Sequence, residues 1–398
     1  MVSEGRTMQN WALLSLLVGM AVPALAAKQV TVESVEKTLA VTRGWSDAKT
    51  AQHIYELELT ERLSEGRLEH LEAVLPGPLA RQALIAVADA SAFLDLPAAD
   101  IPAMAAPDLA TQSSMLALTA EYVRKTVPRL PNFFATRDTD RFEDTPIIHP
   151  LDSGAEITYE PLQPIGRSTV TVLYRNGNEV VHAEVAPSGK SKTNKSNSDK
   201  SRPSEHELST HGVFGPILSS VLADSTRGAI VWSHWEQGAT GLHAVFSYQV
   251  PQQASHYTVV FPASQGLEPS LFNTDDPAAQ GRPKSRHLPA YHGEIAVNPA
   301  DGSILRLTMV ADLKSGERVI KADLMVEYGP VELGRKTYIC PVKSVALSLD
   351  HIVYRTAISA AAAALAAPQL RVNDELFTEY HLFRGDVHIV SGAGEGPG

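Results

Sequence analysis

Between residues 242 and 328 apolar side chains recur at alternate positions in successive segments, and this period is the strongest constraint on the fold. Leu242, Ala244, Phe246, Tyr248 and Val250 form one such series, with His243, Ser247 and Gln249 on the other side. Tyr257, Val259 and Phe261 continue it. Ile320, Ala322, Leu324, Val326 and Tyr328 repeat it against Lys321, Asp323 and Glu327. Successive side chains of a strand point to opposite faces, so this alternation predicts half-buried strands. Ala290–Val297 and Ser303–Ala311 bracket Ala300-Asp301-Gly302, and Thr169–Tyr174 and Glu179–Val185 bracket Asn176-Gly177; both are hairpin signals. Lys336–Leu349 and Leu376–Phe383 add expected strands. Short turns without crossover helices imply an antiparallel sheet. Two helices are expected to interrupt it, one over Phe214–Ala223 and one in the Ala-rich segment near Ala360.

The first third carries a different period. Ser46 is placed to cap a helix that starts at Asp47, passes through Ile54, Tyr55, Leu59 and Leu63, and ends at Gly66. Leu68, Leu71 and Leu75 mark a shorter helix from Arg67, stopped by Pro76-Gly77-Pro78. A buried helix is expected over Leu79–Leu94, and another after Pro107 with Leu109, Leu116, Ala120, Val123 and Val127 on one face. The fold class is therefore α+β: a helical module over residues 28–130, then a large curved antiparallel β-sheet, half-barrel-like, over 155–390 with a few packing helices. Residues 187–203 read as a flexible basic loop and 391–398 as a disordered tail.

The N-terminus predicts export. Trp11–Val22 has the length of a signal h-region, and Ala24-Leu25-Ala26 supplies a small-x-small pattern. Residues 1–26 are expected to be removed by cleavage between Ala26 and Ala27, leaving a periplasmic or extracellular protein with no membrane span. Retention of the segment as an anchor is the alternative. One cysteine in 398 residues excludes an internal disulfide framework, a zinc finger and a thiolate iron–sulfur cluster. A net charge of -11 argues against nucleic acid as a partner.

No motif predicts catalysis, a cofactor or a metal. His206-Glu207 and His211 are five apart, about 140° around a helix, whereas a zinc-binding helical pair is four apart. Gly44-Trp45-Ser46-Asp47-Ala48 lacks the closing glycine of a nucleophile elbow. Gly189-Lys190-Ser191 lacks the first glycine of a phosphate loop, since position 184 is Glu184. Asp138 and Asp140 read as a solvated turn, and Cys340 as a buried thiol.

Trp232, Trp235, Phe246, Tyr248, Tyr257 and Phe261 crowd one run of expected strands. Such rings pack a core, or line a cleft for a hydrophobic ligand where the sheet is left uncovered. The strand order and length over about residues 155–390 resemble the periplasmic lipoprotein-carrier (LolA-like) half-barrel. That resemblance implies a non-enzymatic binder of acyl chains or partner proteins. Tyr291-His292-Gly293-Glu294-Ile295 through Asp301-Gly302-Ser303-Ile304-Leu305, Val326-Glu327-Tyr328 and Tyr338-Ile339-Cys340-Pro341 also look like uncharacterised exported bacterial proteins, which implies no activity. Three readings follow: a binder of a hydrophobic molecule on the aromatic sheet face, an exported hydrolase built from dispersed His234, His256 and Glu236, and an interaction module for an envelope protein.

Overall fold

A computed structural model of the chain describes residues 27–151, 154–182, 208, 212–262, 284–314, 319–351 and 368–383. The expected signal segment through Ala26, the basic loop 187–203, the Ala-rich segment near Ala360 and the tail 391–398 lie outside the described residues.

The chain starts with β1 (Lys28–Val30), α1 (Val32–Val41), α2 (Asp47–Tyr55), β2 (Leu57–Leu59), α3 (Glu65–Val74) and α4 (Pro78–Ala90). Ser46 caps α2 as expected, its Oγ accepting the Lys49 N–H at 3.4 Å. The helix does not continue to Gly66, however. Leu57-Glu58-Leu59 leaves it and pairs in parallel with Lys28–Val30. Leu57 and Leu59 are both buried, two positions apart, a strand relation hidden inside a run that also fits a helical stripe. Helix α1, unanticipated from the sequence, is capped by Thr31, whose Oγ1 accepts the Ser34 N–H. The Asp47 carboxylate accepts the N–H groups of Leu79 and Ala80 at 3.0 and 2.8 Å, serving as a cap for α4 supplied from α2.

Then come α5 (Leu109–Thr126), the long hairpin β3 (Phe133–Leu151) and β4 (Gly154–Arg175), β5 (Asn178–His182), and α6 (Pro216–Ser225). The remaining strands are β6 (Ala229–Gly238), β7 (Gly241–Val250), β8 (Val259–Pro262), β9 (Lys284–His287), β10 (Ala290–Val297), β11 (Ile304–Asp312), β12 (Val319–Leu333), β13 (Lys336–His351) and β14 (Pro368–Leu382). Ten strands form one antiparallel, unclosed sheet in the order β5-β4-β3-β14-β13-β12-β11-β10-β7-β6. Among the described residues strands β8 and β9 pair only with each other, so Val259 and Phe261 do not extend the main sheet as their period suggests. Asn176 and Gly177 take positive φ (53° and 81°) in the β4–β5 turn, the conformation that an Asn-Gly hairpin requires.

The sheet is the middle layer of three. Helices α5 and α6 cover one face, where Val123, Phe214 and Val221 pack with Phe133, Tyr174, Phe246, Tyr291 and Val326. Helices α1–α4 cover the other, where Ile54, Leu84 and Val87 meet Phe142, Met325, Val345 and Val372. Strand β12, expected to be half-buried, is covered on both sides: Leu324 and Val326 face one core, and Met325 faces the other.

Burial of a carboxyl group gives this fold a measurable pH dependence. Asp144, on β3, is buried, and its Oδ1 accepts the Leu370 N–H at 2.8 Å. Burial pushes its pKa up to about 7 despite that bond. The folded state therefore keeps a proton that the unfolded chain releases, and stability is lost as pH rises from about 4 to 7. Asp144→Asn keeps the acceptor and cannot ionise. Its unfolding free energy relative to the parent is expected to rise by on the order of 2–4 kcal/mol between pH 4 and pH 8. Urea titrations at the two pH values measure this, and a pH-independent difference refutes it.

Candidate functional site

The polar chemistry gathers on the sheet face beneath α1–α4. In β6 the register shifts between Trp232 and His234, leaving Ser233 as the extra residue. Trp232 and Trp235 consequently stand opposite Phe246 and Ala244 on the α5–α6 face, while His234 and Glu236 turn to the other face. Glu236 joins two arginines there. Arg62, between β2 and α3, holds it bidentately: Nη1 donates to Oε1 at 3.1 Å and Nη2 to Oε2 at 2.8 Å. Arg306, on β11, donates through Nη2 to Glu236 Oε2 at 2.7 Å and to Glu294 Oε2 at 3.4 Å. The Arg62 and Arg306 side chains are only 9% and 7% exposed. Burial pushes the Glu236 carboxyl up, but His234 and Arg62 outweigh it and hold the group below its usual range.

A cavity of about 440 Å³ opens beside this network, between α3–α4 and β11–β13. Its walls include Leu63, Leu68, Leu305, Met325 and Val342, and its charged groups are Arg62, Glu65, Asp89, Glu236, Arg306, Glu327 and Lys343. A second cavity of about 350 Å³ lies between Phe93–Asp95 and β6, β7, β10 and β11, with Glu294 and His292 on its wall. Ala92 borders both. Lys343, on β13, reaches across to α4: its Nζ lies 2.7 Å from Asp89 Oδ1 and 3.4 Å from Asp374 Oδ1. Burial lowers the His243 pKa, favouring the neutral ring. Its Nε2 lies 3.0 Å from Thr240 Oγ1, and the ring packs over Gly238, where a Cβ would collide with it.

The expected aromatic site lies elsewhere. Trp235, Phe246 and Tyr248 are buried, Trp232 and Tyr257 are half-buried, and all five belong to or pack on the core under α5 and α6. Trp232 meets Trp235 and Phe246 edge-to-face, with centroids 4.9 and 5.5 Å apart. Trp235 Nε1 donates to the Ala105 carbonyl, Tyr248 to that of Thr308, and Tyr257 to that of Ala322. Of these residues only Tyr248 borders either cavity. Phe261 lies in β8, and its side chain is outside the described residues.

The expected hydrolase set is divided between the two faces. His234 Nε2 lies 3.6 Å from Glu236 Oε2. His256 instead pairs with Asp224 of α6, Nδ1 to Oδ1 at 2.5 Å, and Tyr291 donates to Asp224 Oδ2 at 2.8 Å. A buried Asp orients an exposed His here, but among the described residues no hydroxyl or thiol bonds to His256. Ser233 Oγ lies 2.9 Å from His234 Nδ1, yet Glu294 Oε1 is 3.5 Å from that same oxygen, and a carboxylate there opposes a developing oxyanion. Cys340 is buried, and burial pushes its thiol up to about 12. Asp138 accepts the Thr169 hydroxyl and Asp140 pairs with Arg167, both along β3 rather than in a turn. Among the described residues no group of three His, Cys, Asp or Glu is placed to hold a metal ion, and no helix is long and apolar enough to cross a membrane.

Of the charged groups of the cleft only Glu236 was expected at a site, as the acid of the dispersed hydrolase set; the others were not, although a signal was present. Arg306 interrupts the apolar run Ile304-Leu305-Arg306-Leu307, and Lys343 follows Pro341-Val342 in β13. A charge inside a strand buried on both faces needs a partner, and that requirement points to carboxylates from other elements. No protein-family model, curated protein or solved structure matches the chain significantly.

Proposed function

We propose that the chain is a binding protein that acts outside the cytoplasm and holds a small molecule in the cleft between α1–α4 and the sheet. The observation that carries this reading is the cavity of about 440 Å³ at that junction, with apolar walls and seven convergent charged groups. Its size and lining suit a small ligand. Binding is favoured over catalysis because Arg62, Arg306 and Lys343 are each committed to carboxylates, and among the described residues no nucleophile with a base and oxyanion donors is assembled. The half-barrel resemblance suggests the same class, a binder without catalysis. The cleft, rather than the packed aromatic face, is the better seat for a ligand.

Leu68, on α3, lines the cavity and is half-buried, so Leu68→Trp blocks the space from its rim. Thermal unfolding of the full chain is to be followed with separate additions of short amines, short carboxylic acids, sugars and a fluorescent acyl probe. At least one class is expected to raise the parent's Tm by several degrees and to leave that of Leu68→Trp unchanged. A parent that responds to none, or a response that Leu68→Trp retains, overturns the proposal.

A further inference from the structure

Across β11, β12 and β13 three charged residues form one row: Arg306 stands opposite Glu327, and Glu327 opposite Lys343. Neighbours of opposite charge at such positions normally pair. Here neither cation makes a direct ion pair with Glu327, although Lys343 is near enough to attract it. Arg306 is drawn to Glu236 and Glu294, and Lys343 to Asp89 and Asp374. Among the described residues Glu327 makes no ion pair, and its side chain borders the cavity of about 440 Å³.

The electrostatic balance of that cavity is one-sided. Glu65, Asp89, Glu236 and Glu327 face Arg62, Arg306 and Lys343, and Glu294 and Asp374 draw on those same cations from outside the lining. Asp89 is a second under-served group: its side chain is 4% exposed, and its Oδ2 has no hydrogen-bond partner. Burial pushes the Glu327 carboxyl above its usual range against the pull of Lys343, with Glu65 adding to the rise and Arg62 opposing it. Glu327 is half-buried, and a carboxylate partly withdrawn from water with no direct ion-pair partner is costly, a cost that an incoming cation relieves.

Resting on the binding reading above, we propose that the cleft takes a small organic cation, a primary amine on a short apolar chain, with Glu327 as its anchor. The ammonium group meets the unpaired carboxylate, and Leu63, Leu68, Leu305 and Val342 cover the chain. A bare metal ion fits less well, since Lys343 and Arg306 flank Glu327 and the walls are largely apolar.

Calorimetric titration of the full chain with n-butylamine, n-butanol and butyrate tests the charge requirement at constant size. n-Butylamine is expected to bind, the other two not to, and Glu327→Gln to weaken n-butylamine at least tenfold while unfolding no earlier than the parent. Leu68→Trp is expected to abolish the same signal without touching the charge. Equal binding of n-butanol or butyrate overturns the cation assignment but leaves a ligand cleft in place. Amine binding unchanged in Glu327→Gln places the amine elsewhere and also overturns the assignment. Absence of amine binding overturns it too; the binding reading itself is decided separately, by the response of the parent and of Leu68→Trp to the wider panel.

Discussion

Glu236→Gln is expected to release α1–α4 from the sheet while leaving the rest of the sheet folded. Glutamine preserves the shape of the side chain and removes the one charge shared by Arg62, from the helical side, and Arg306, from the sheet. Both guanidinium groups are more than nine-tenths buried. They then face each other as like charges, with the 3.4 Å contact of Arg306 to Glu294 as their remaining ion pair among the described residues. Removing one partner of a buried ion pair costs about 3–5 kcal/mol, because the remaining charge stays desolvated. The cost falls at the junction between layers, so amides in α2–α4 are expected to lose hydrogen-exchange protection while those in β7 and β10 keep theirs. Uniform loss across both regions, or none, refutes the expectation. The double variant Arg62→Leu/Glu236→Leu removes two of the three buried charges and leaves Arg306 with Glu294, so it is expected to recover part of the loss. Acid below about pH 4.5 acts in the same direction as the single variant. Glu236 is held below its usual range in the fold, so its contribution is present above the unfolded value of 4.5 and lost as pH falls through the lower folded one.

The legibility of this fold follows from where its buried residues are apolar. Strands β7, β10, β11 and β12 advertise themselves because Phe246, Ile295, Leu307 and Leu324 alternate with neighbours on the second face. Strand β3 and the first part of β4 do not, although these two are the longest strands; only Thr169–Tyr174, at the end of β4, was expected. The run Arg137-Asp138-Thr139-Asp140-Arg141 fills a central strand with polar groups, and Arg137 and Thr139 are buried all the same. Periodicity arguments count hydrophobes, so a strand with buried polar groups is invisible to them. The candidate site was illegible for a related reason. Arg62, Glu236, Arg306, Glu327 and Lys343 are far apart in sequence and share no spacing; only the pairing of β11, β12 and β13 and the seating of α3–α4 bring them together. The aromatic residues were legible individually, but whether helices would cover them was a question of layer order. The hairpin-by-hairpin pattern does not encode it: α5 and α6 lie over that face, and α1–α4 over the opposite one.

Lys343→Met is the complementary experiment, because it removes the cation and leaves the carboxylates. Lys343 Nζ bridges Asp89 of α4 and Asp374 of β14, whose side chains are 4% and 5% exposed. Burial pushes both carboxyl groups upward, with Lys343 the main opposing influence. In the variant that opposition is gone, and Glu327 adds a third negative charge nearby. Methionine fills much of the lysine stem's space, so the loss reports the charge rather than a void. At pH 7.5 the expected destabilisation is about 3–5 kcal/mol, the usual result of orphaning buried ions. The pH dependence has a definite sign. Asp89 and Asp374 are already raised above the unfolded 3.8 in the parent, and losing Lys343 raises them further, so the folded variant holds more protons than the folded parent and its stability falls more steeply as pH rises from about 4. The deficit relative to the parent is therefore expected to shrink by at least half when the urea titration is repeated at pH 5. A deficit that stays constant, or widens, at pH 5 assigns the loss to packing instead and refutes the ion-bridge account of how α4 is held to the sheet.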